Sequence, residues 1–286
     1  MKKLFIPLVL FSFTFTALKA QKEVLFKMGY LPSNTYSSTM NMDMNMEMDI
    51  TGDTAIVNKM KKSGQKLPMI MQMQSTMGFD IKTGVQKDSK IPVIIRMGGT
   101  SVKMKMNGVE SPIPSTNTKT DIYGYYSADG KMSIDSVGGK KMDDALKQQM
   151  VKMIDQMQAN IKFPDKPMKI GDTFPQDIPM DLPMAGGSAK VLVKGIYKLI
   201  AIENNKAYFD VTFTMTMDMT ENKMNVDMTG GGDGKFIYDM TNNFVSMVRE
   251  NLNMIYSLAL PQMPPKMKMT GKANMLMDQK TTVTAN

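Results

Sequence analysis

The sequence predicts a mainly β protein of α+β class: two antiparallel, curved β halves joined by one amphipathic helix and a Pro-rich linker. Three observations predict it. Met40, Met42, Met44, Met46, Met48 and Ile50 alternate strictly with Asn41, Asp43, Asn45, Glu47 and Asp49, which puts every Met on one face of a strand. Phe209, Val211, Phe213, Met215, Met217 and Met219 share one phase through 207–219, with Asp210, Thr212, Thr214, Thr216 and Asp218 in the other. Only one stretch changes period: Met142, Leu146, Met150, Met153, Ile154, Met157 and Ile161 recur at three and four, the spacing of a helix face.

Residues 1–20 read as a secretory leader, with Lys2 and Lys3 before the apolar run Leu4 to Phe15 and the small Ala20 before Gln21. The run is shorter than the roughly 20 residues a membrane span needs. The chain has no Cys to carry a lipoprotein anchor. The expectation is export to the periplasm or beyond, without a lipid anchor and with no integral span after cleavage. Removing Lys2, Lys3 and Lys19 lowers the formal charge from +8 to +5. Only Arg96 and Arg249 are Arg, and the lysines are scattered without interleaved aromatics, which argues against a nucleic-acid partner.

The N-terminal β half is expected over 21–137. Beyond the strand at 40–50, Met69, Met71 and Met73 alternate with Ile70, Gln72 and Gln74, and Met104 and Met106 with Lys103 and Lys105. Further strands are expected at 54–61, 91–97, 120–127 and 131–137, with an Asp129-Gly130 hairpin between the last two. The helix is placed at 138–162: Asp143 and Asp144 lie near its start, where carboxylates suit the dipole, and Pro164 stops it. A Pro- and Gly-rich linker is placed at 163–187. The C-terminal half, 188–286, has strand patterns at 189–203, 207–219, 224–229, 235–240, 244–257 and 266–277. Its expected turns are Asn204-Asn205, the flexible Gly230-Gly231-Gly232 and the dipeptide Asp233-Gly234. Asp129-Gly130-Lys131 and Asp233-Gly234-Lys235 each precede an apolar strand ending in Asp, a weak hint of duplication.

These features together resemble an uncharacterised family of exported bacterial proteins, a domain of unknown function. The resemblance rests on the leader, the Met-alternating strand at 38–50, the Asp129-Gly130-Lys131 hairpin, the Met-rich helix and the segment Pro164-Asp165-Lys166-Pro167-x-Lys169-x-Gly171-Asp172-x-Phe174, and it covers most of the mature chain. It implies secretion and a mostly β fold. It brings no known activity and no catalytic residues.

Composition narrows the chemistry. With no His and no Cys, imidazole- and thiolate-based catalysis and His or Cys metal sites are excluded. The carboxylates propose no acid–base pair, and no Ca²⁺ or phosphate loop is present, so the expectation is a non-enzymatic protein without a resident cofactor. The 36 Met residues remain. Thioethers suit Cu(I), so Met40, Met42, Met44, Met46 and Met48 are candidate soft-metal ligands. Exposed Met also takes up oxidants reversibly. The in-phase continuation of Phe209, Val211 and Phe213 into Met215 favours apolar packing instead. Val and Ile fit a pleated surface better than Met does, and a Met face can repack around varied apolar partners. The leading expectation is therefore a binding or carrier module for an apolar small molecule, lipid or peptide. Met215, Met217 and Met219 would lie on its sheet face, and Met180 and Met184 at its rim. A structural or surface protein with Met only as core filler is the third reading.

Overall fold

The computed structural model describes residues 23–111, 121–127, 130–138, 140–141, 148, 161–184, 187–218, 225–259 and 267–286. The chain is mainly β. In order come β1 (Asn34–Thr51), α1 (Thr54–Lys62), β2 (Met69–Thr83), β3 (Lys90–Met106), β4 (Val109–Ser111), β5 (Asp121–Ser127), β6 (Met132–Val137) and β7 (Lys140–Lys141). They are followed by β8 (Thr173–Met184), β9 (Gly187–Glu203), β10 (Lys206–Asp218), β11 (Asn225–Asp239), β12 (Phe244–Ala259) and β13 (Lys268–Ala285).

All pairings between these strands are antiparallel, in one sheet of order β7-β6-β5-β3-β2-β1-β13-β12-β11-β10-β9-β8, with β4 on β3. The N-terminal half steps outward from β1 to one edge. The chain then crosses to the far edge, and the C-terminal half steps back inward to β13. The two expected halves exist, but the first and last long strands fuse them: β1 and β13 pair from Asn34↔Ala285 to Thr51↔Lys268. Bulges at Met77/Phe79, Tyr208/Phe209 and Ile237/Tyr238 interrupt the ladders and add local twist.

One face of this sheet, the inner face, carries two buried clusters, both at the same end of the long strands. Tyr36, Phe79, Ile81, Val93, Ile95, Ile122 and Ile134 form one, with Tyr30 and Phe244 against it. Val193, Tyr197, Leu199, Phe209, Phe213, Phe236 and Tyr238 form the other. Segments 23–33 and 161–172 lie across this end. Val24 and Met168 exchange backbone hydrogen bonds of 2.9 and 2.8 Å, and Phe26 meets Phe209 and Tyr238 edge-on at 5.3 Å. The Tyr238 hydroxyl donates to the Lys27 carbonyl, which ties the N-terminal segment down.

Several expectations change. Residues 54–61 are not a strand but α1. Asp53 caps it, accepting from the amides of Ala55 (2.8 Å) and Ile56 (3.2 Å), and Lys59, Lys61 and Lys62 sit at its C-terminal turn. The β-branched Thr54, Ile56 and Val57 point to a strand on propensity, but none of the helix is buried, so no sheet contact enforces it. Gly230 to Gly234 are not a turn: β11 runs straight through them. Gly130 does turn, with φ +82° beside the Ser127–Lys131 closure, whereas Gly234 lies within β11, so these two glycines do not support the hint of duplication. Asn204 and Asn205 form the expected hairpin turn, with φ of 49° and 58°.

The linker ends earlier than expected, because 173–184 is the edge strand β8. Its Pro175, Pro179 and Pro183 read as loop residues, yet Pro is tolerated on a sheet edge, where a missing donor leaves no ladder bond unmade. They remove donors from one edge, while the opposite edge, β7, is two residues long. The helix expected at 138–162 lies mostly outside the described residues; at its start Lys140 and Lys141 form β7, and at its end Ile161 is buried in the second cluster.

Candidate functional site

Past the buried clusters, the inner face changes character. The ladder registers assemble its side chains into rows running across strands. One row is Met104, Met73, Met44, Met275 and Leu252, on β3, β2, β1, β13 and β12. The next is Met71, Met46, Ala273, Met254, Gly230, Met215 and Val193, reaching β9. A third is Met69, Met48, Gly271, Tyr256 and Met228. Directly opposed Cβ atoms in such rows lie about 5 Å apart.

Burial separates the two ends. Tyr36 is 1% exposed on β1, but Met40, Met42, Met44, Met46 and Met48 are all half-buried, and the next buried residue is Ile50. Met73, Met104, Met254, Met275 and Met277 are half-buried as well. The Met end of the face is therefore not a sealed core.

The sequence-derived candidates fall as follows. Met46 and Met215 share one row although they are far apart in sequence. Met215 is buried and Met217 half-buried on β10. Met219 lies outside the described residues. Met180 and Met184 are not on a rim loop but on edge strand β8, opposite Val191 and Gly187. Met71, Met73, Met254 and Met275 complete the face. The first two were visible in an alternating run; the others needed the pairing.

Sequence reasoning missed Glu250. It stands on the inner phase of β12 between buried Val248 and Leu252, paired with Gly234 on one side and Met277 on the other. Among the described residues it is the one charged side chain on the inner face of β1–β3 and β8–β13. Burial pushes its carboxyl up to about 7. Burial also raises the phenol of Tyr197, and the charge of Glu250 adds to that shift. The signal was present in the sequence: a lone charge in the apolar phase Val248, Glu250, Leu252, Met254. Six residues further along β12, the Tyr256 hydroxyl is buried without a hydrogen-bond partner among the described residues.

The opposite face mixes paired polar groups with the exposed apolar side chains Ile70, Ile196, Ile255 and Leu276. Gln72 donates to Asn45 (3.3 Å), Thr76 to Asn41 (2.9 Å), and ion pairs join Lys272 to Glu47 (2.9 Å) and Arg249 to Asp278 (2.6 Å). A groove of about 410 Å³ on this face is lined by Asn45, Glu47, Ile70, Asn253, Ile255 and Lys272, among others. Its polar groups largely satisfy one another; Asn274 donates to both Asn251 and Asn253. Among the described residues no group of three His, Cys, Asp or Glu is placed to hold a metal, and no helix is long and apolar enough to cross a membrane.

No family model and no curated protein matches the chain. Solved structures that align with it include the outer membrane protein OprG from Pseudomonas aeruginosa, at 9% identity over 89% of this chain and 98% of that one, with a TM-score of 0.22. Pseudomonas aeruginosa OccK11 (OpdR) aligns at 6% identity over 90% and 100%, with a TM-score of 0.22. OpdQ from the same organism aligns at 8% over 87% and 98%, with a TM-score of 0.23. Such low TM-scores establish no common fold, and no function is carried over from them.

Proposed function

We propose that this protein is an exported, non-enzymatic carrier or binding protein for an apolar ligand, a lipid or an apolar peptide, held on the Met-rich half of the inner face. The observation that carries this reading is the set of half-buried Met in these rows, from Met104 on β3 to Met254 on β12, beyond a dry aromatic base. A core-filling role would bury these side chains; here they stay accessible. The thioether is flexible and polarisable, so the face adapts to an irregular apolar surface. The charged pairs Lys272–Glu47 and Arg249–Asp278 on the outer face support a wall that meets water, since a Lys or Arg facing lipid at the bilayer midplane costs about 2–4 kcal/mol.

The test compares the two faces of one strand. Met46→Lys is expected to weaken displacement of an environment-sensitive apolar dye by about tenfold, from the cost of desolvating a charge. Asn45→Lys, one residue away on the outer face, is expected to leave it unchanged, with thermal unfolding confirming that both variants fold. Equal behaviour of the two variants would sink this reading.

One observation favours a second reading. Met104, Met73, Met44 and Met275 sit side by side on four neighbouring strands. That brings thioethers closer than the i, i+2 spacing along β1 does, and forms a better soft-metal set than Met40–Met48 alone. A Met44→Leu/Met73→Leu/Met275→Leu variant is expected to lose competition with a Cu(I) indicator. No competition by the wild type, or none lost in the variant, rejects it.

A further inference from the structure

Glu250 is an unexplained charge in an apolar field. Its strand neighbours Val248 and Leu252 are buried, and its cross-strand partners Gly234 and Met277 offer no side-chain donor. A Cβ on Gly234 would stand 3.3 Å from Glu250 Cγ and 3.2 Å from the Phe213 ring, so the absent side chain leaves the carboxylate stem room on the β11 side.

The charged and titratable groups around it are few. From β9 comes Tyr197, stacked on Phe174 at 4.8 Å. The cations nearest in sequence and register, Arg249 and Lys235, are on the outer face, where Arg249 pairs with Asp278 and Lys235 approaches Asp210 at 4.0 Å. From β13 come Met277 and, one rung away, buried Gln279. Among the described residues no hydrogen bond or ion pair meets the Glu250 carboxyl. Glu250 itself is half-buried, so ionising its carboxyl costs more than it does in water, and a cation beside it would offset that cost.

Position gives the rest. Glu250 lies where the dry base gives way to the Met rows. From Glu250 to Tyr256 the strand runs about 20 Å past Leu252 and Met254, room for an alkyl chain of dodecyl length. Building on the reading of the inner face as an apolar-ligand site, we propose that Glu250 recognises the ligand's head and that the ligand is a long-chain cationic amine. Its ammonium donates to the Glu250 carboxylate, and its chain runs along β12 across the rows of Met44 and Met46.

The raised carboxyl fits this role. Without ligand it holds a proton up to about pH 7; a bound ammonium draws it back toward the ordinary carboxylate value. Amine affinity should therefore fall about tenfold per pH unit below the free carboxyl's midpoint.

The experiment displaces the apolar dye at pH 8, below micelle-forming concentrations, with dodecylammonium, dodecanol and dodecanoate, on wild type and Glu250→Gln. The wild type is expected to prefer dodecylammonium over dodecanol by about tenfold, with dodecanoate weakest, and the Gln variant to bring amine and alcohol level. In wild type, the ¹³C titration midpoint of the Glu250 carboxyl should drop on adding the amine and stay put with the alcohol. Dodecanoate binding as tightly as the amine, an amine preference surviving in Glu250→Gln, or an unmoved midpoint overturns the proposal. If all three ligands displace the dye equally, the apolar-ligand reading stands and this inference alone fails; if none does, that reading fails first.

Folding of the Gln variant is checked by thermal unfolding. The native carboxyl lies above its ordinary value of 4.5, so its stabilising contribution falls as pH rises from there to about 7 and is gone above it. At pH 8 the neutral Gln variant should unfold no lower than wild type.

Discussion

Phe209→Ala is expected to lower stability by about 4 kcal/mol, the largest loss of any single truncation considered. Phe209 is 1% exposed. Its ring stacks on Phe236 at 4.3 Å and 7° and takes Phe26 edge-on at 5.3 Å. It also meets Phe163 at 5.8 Å and Phe174 at 6.4 Å. One side chain thus joins β8, β10 and β11 to both covering segments, which are far apart in sequence. Removing it costs the transfer energy of the ring plus a cavity into which the four surrounding rings, each fixed by its own backbone, cannot collapse. For a chain of this size the loss corresponds to a fall in Tm of about 8–16 °C, read by calorimetry. Ile255→Ala, at a residue 68% exposed on the outer face of the neighbouring β12, is expected to stay within about 0.5 kcal/mol of wild type. A Phe209→Ala loss below about 1 kcal/mol would contradict a packed base and leave the inner face open along its whole length.

The sequence shows the faces of this fold far better than its neighbours. Period two determines which side chains of β1 and β10 look inward, since a one-residue slip would turn the whole Met or Phe stripe to water. It does not say that β1 will pair with β13 across the whole chain, because register between distant strands is decided only when both find each other. Hence Met46 and Met215 were legible as inward residues but not as members of one row. Pro and Gly misled for a related reason. Pro175, Pro179 and Pro183 mark a loop in isolation and a protected edge in context. Gly230–Gly234 mark a turn in isolation and a mid-strand approach in context. The α1 segment went the other way, its Asp53 cap outweighing a β-branched start that no burial backs. Glu250 was legible in phase, but its isolation became visible only when Gly234 and Met277 were known to flank it.

Gly232→Ala is the second large effect, expected to cost about 3 kcal/mol, or about 6–12 °C in Tm. Gly232 faces Phe213 on β10 and Leu252 on β12. A Cβ there would sit 2.0 Å from the carbonyl oxygen of Asn251 and 3.0 Å from Leu252 Cα. These are backbone atoms, so relief requires β11 and β12 to move apart and give up ladder hydrogen bonds. Gly78→Ala makes the comparison, since its nearest foreign atom is the Ser38 carbonyl oxygen at an ordinary 3.8 Å; that variant should unfold within a few degrees of wild type. The glycine also bears on the ligand face. Gly230, Gly232 and Gly234 share the inner phase of β11 and leave a strip without side chains between the apolar residues of β10 and β12. Met254 Cγ lies 3.2 Å from where a Cβ on Gly230 would stand, and the Phe213 ring 3.2 Å from one on Gly234. Neighbouring side chains thus stand close beside the strip. A Gly232→Ala protein that unfolds within 2 °C of wild type would mean that β11 does not approach β12 this closely, and the strip would lose its role in shaping the face.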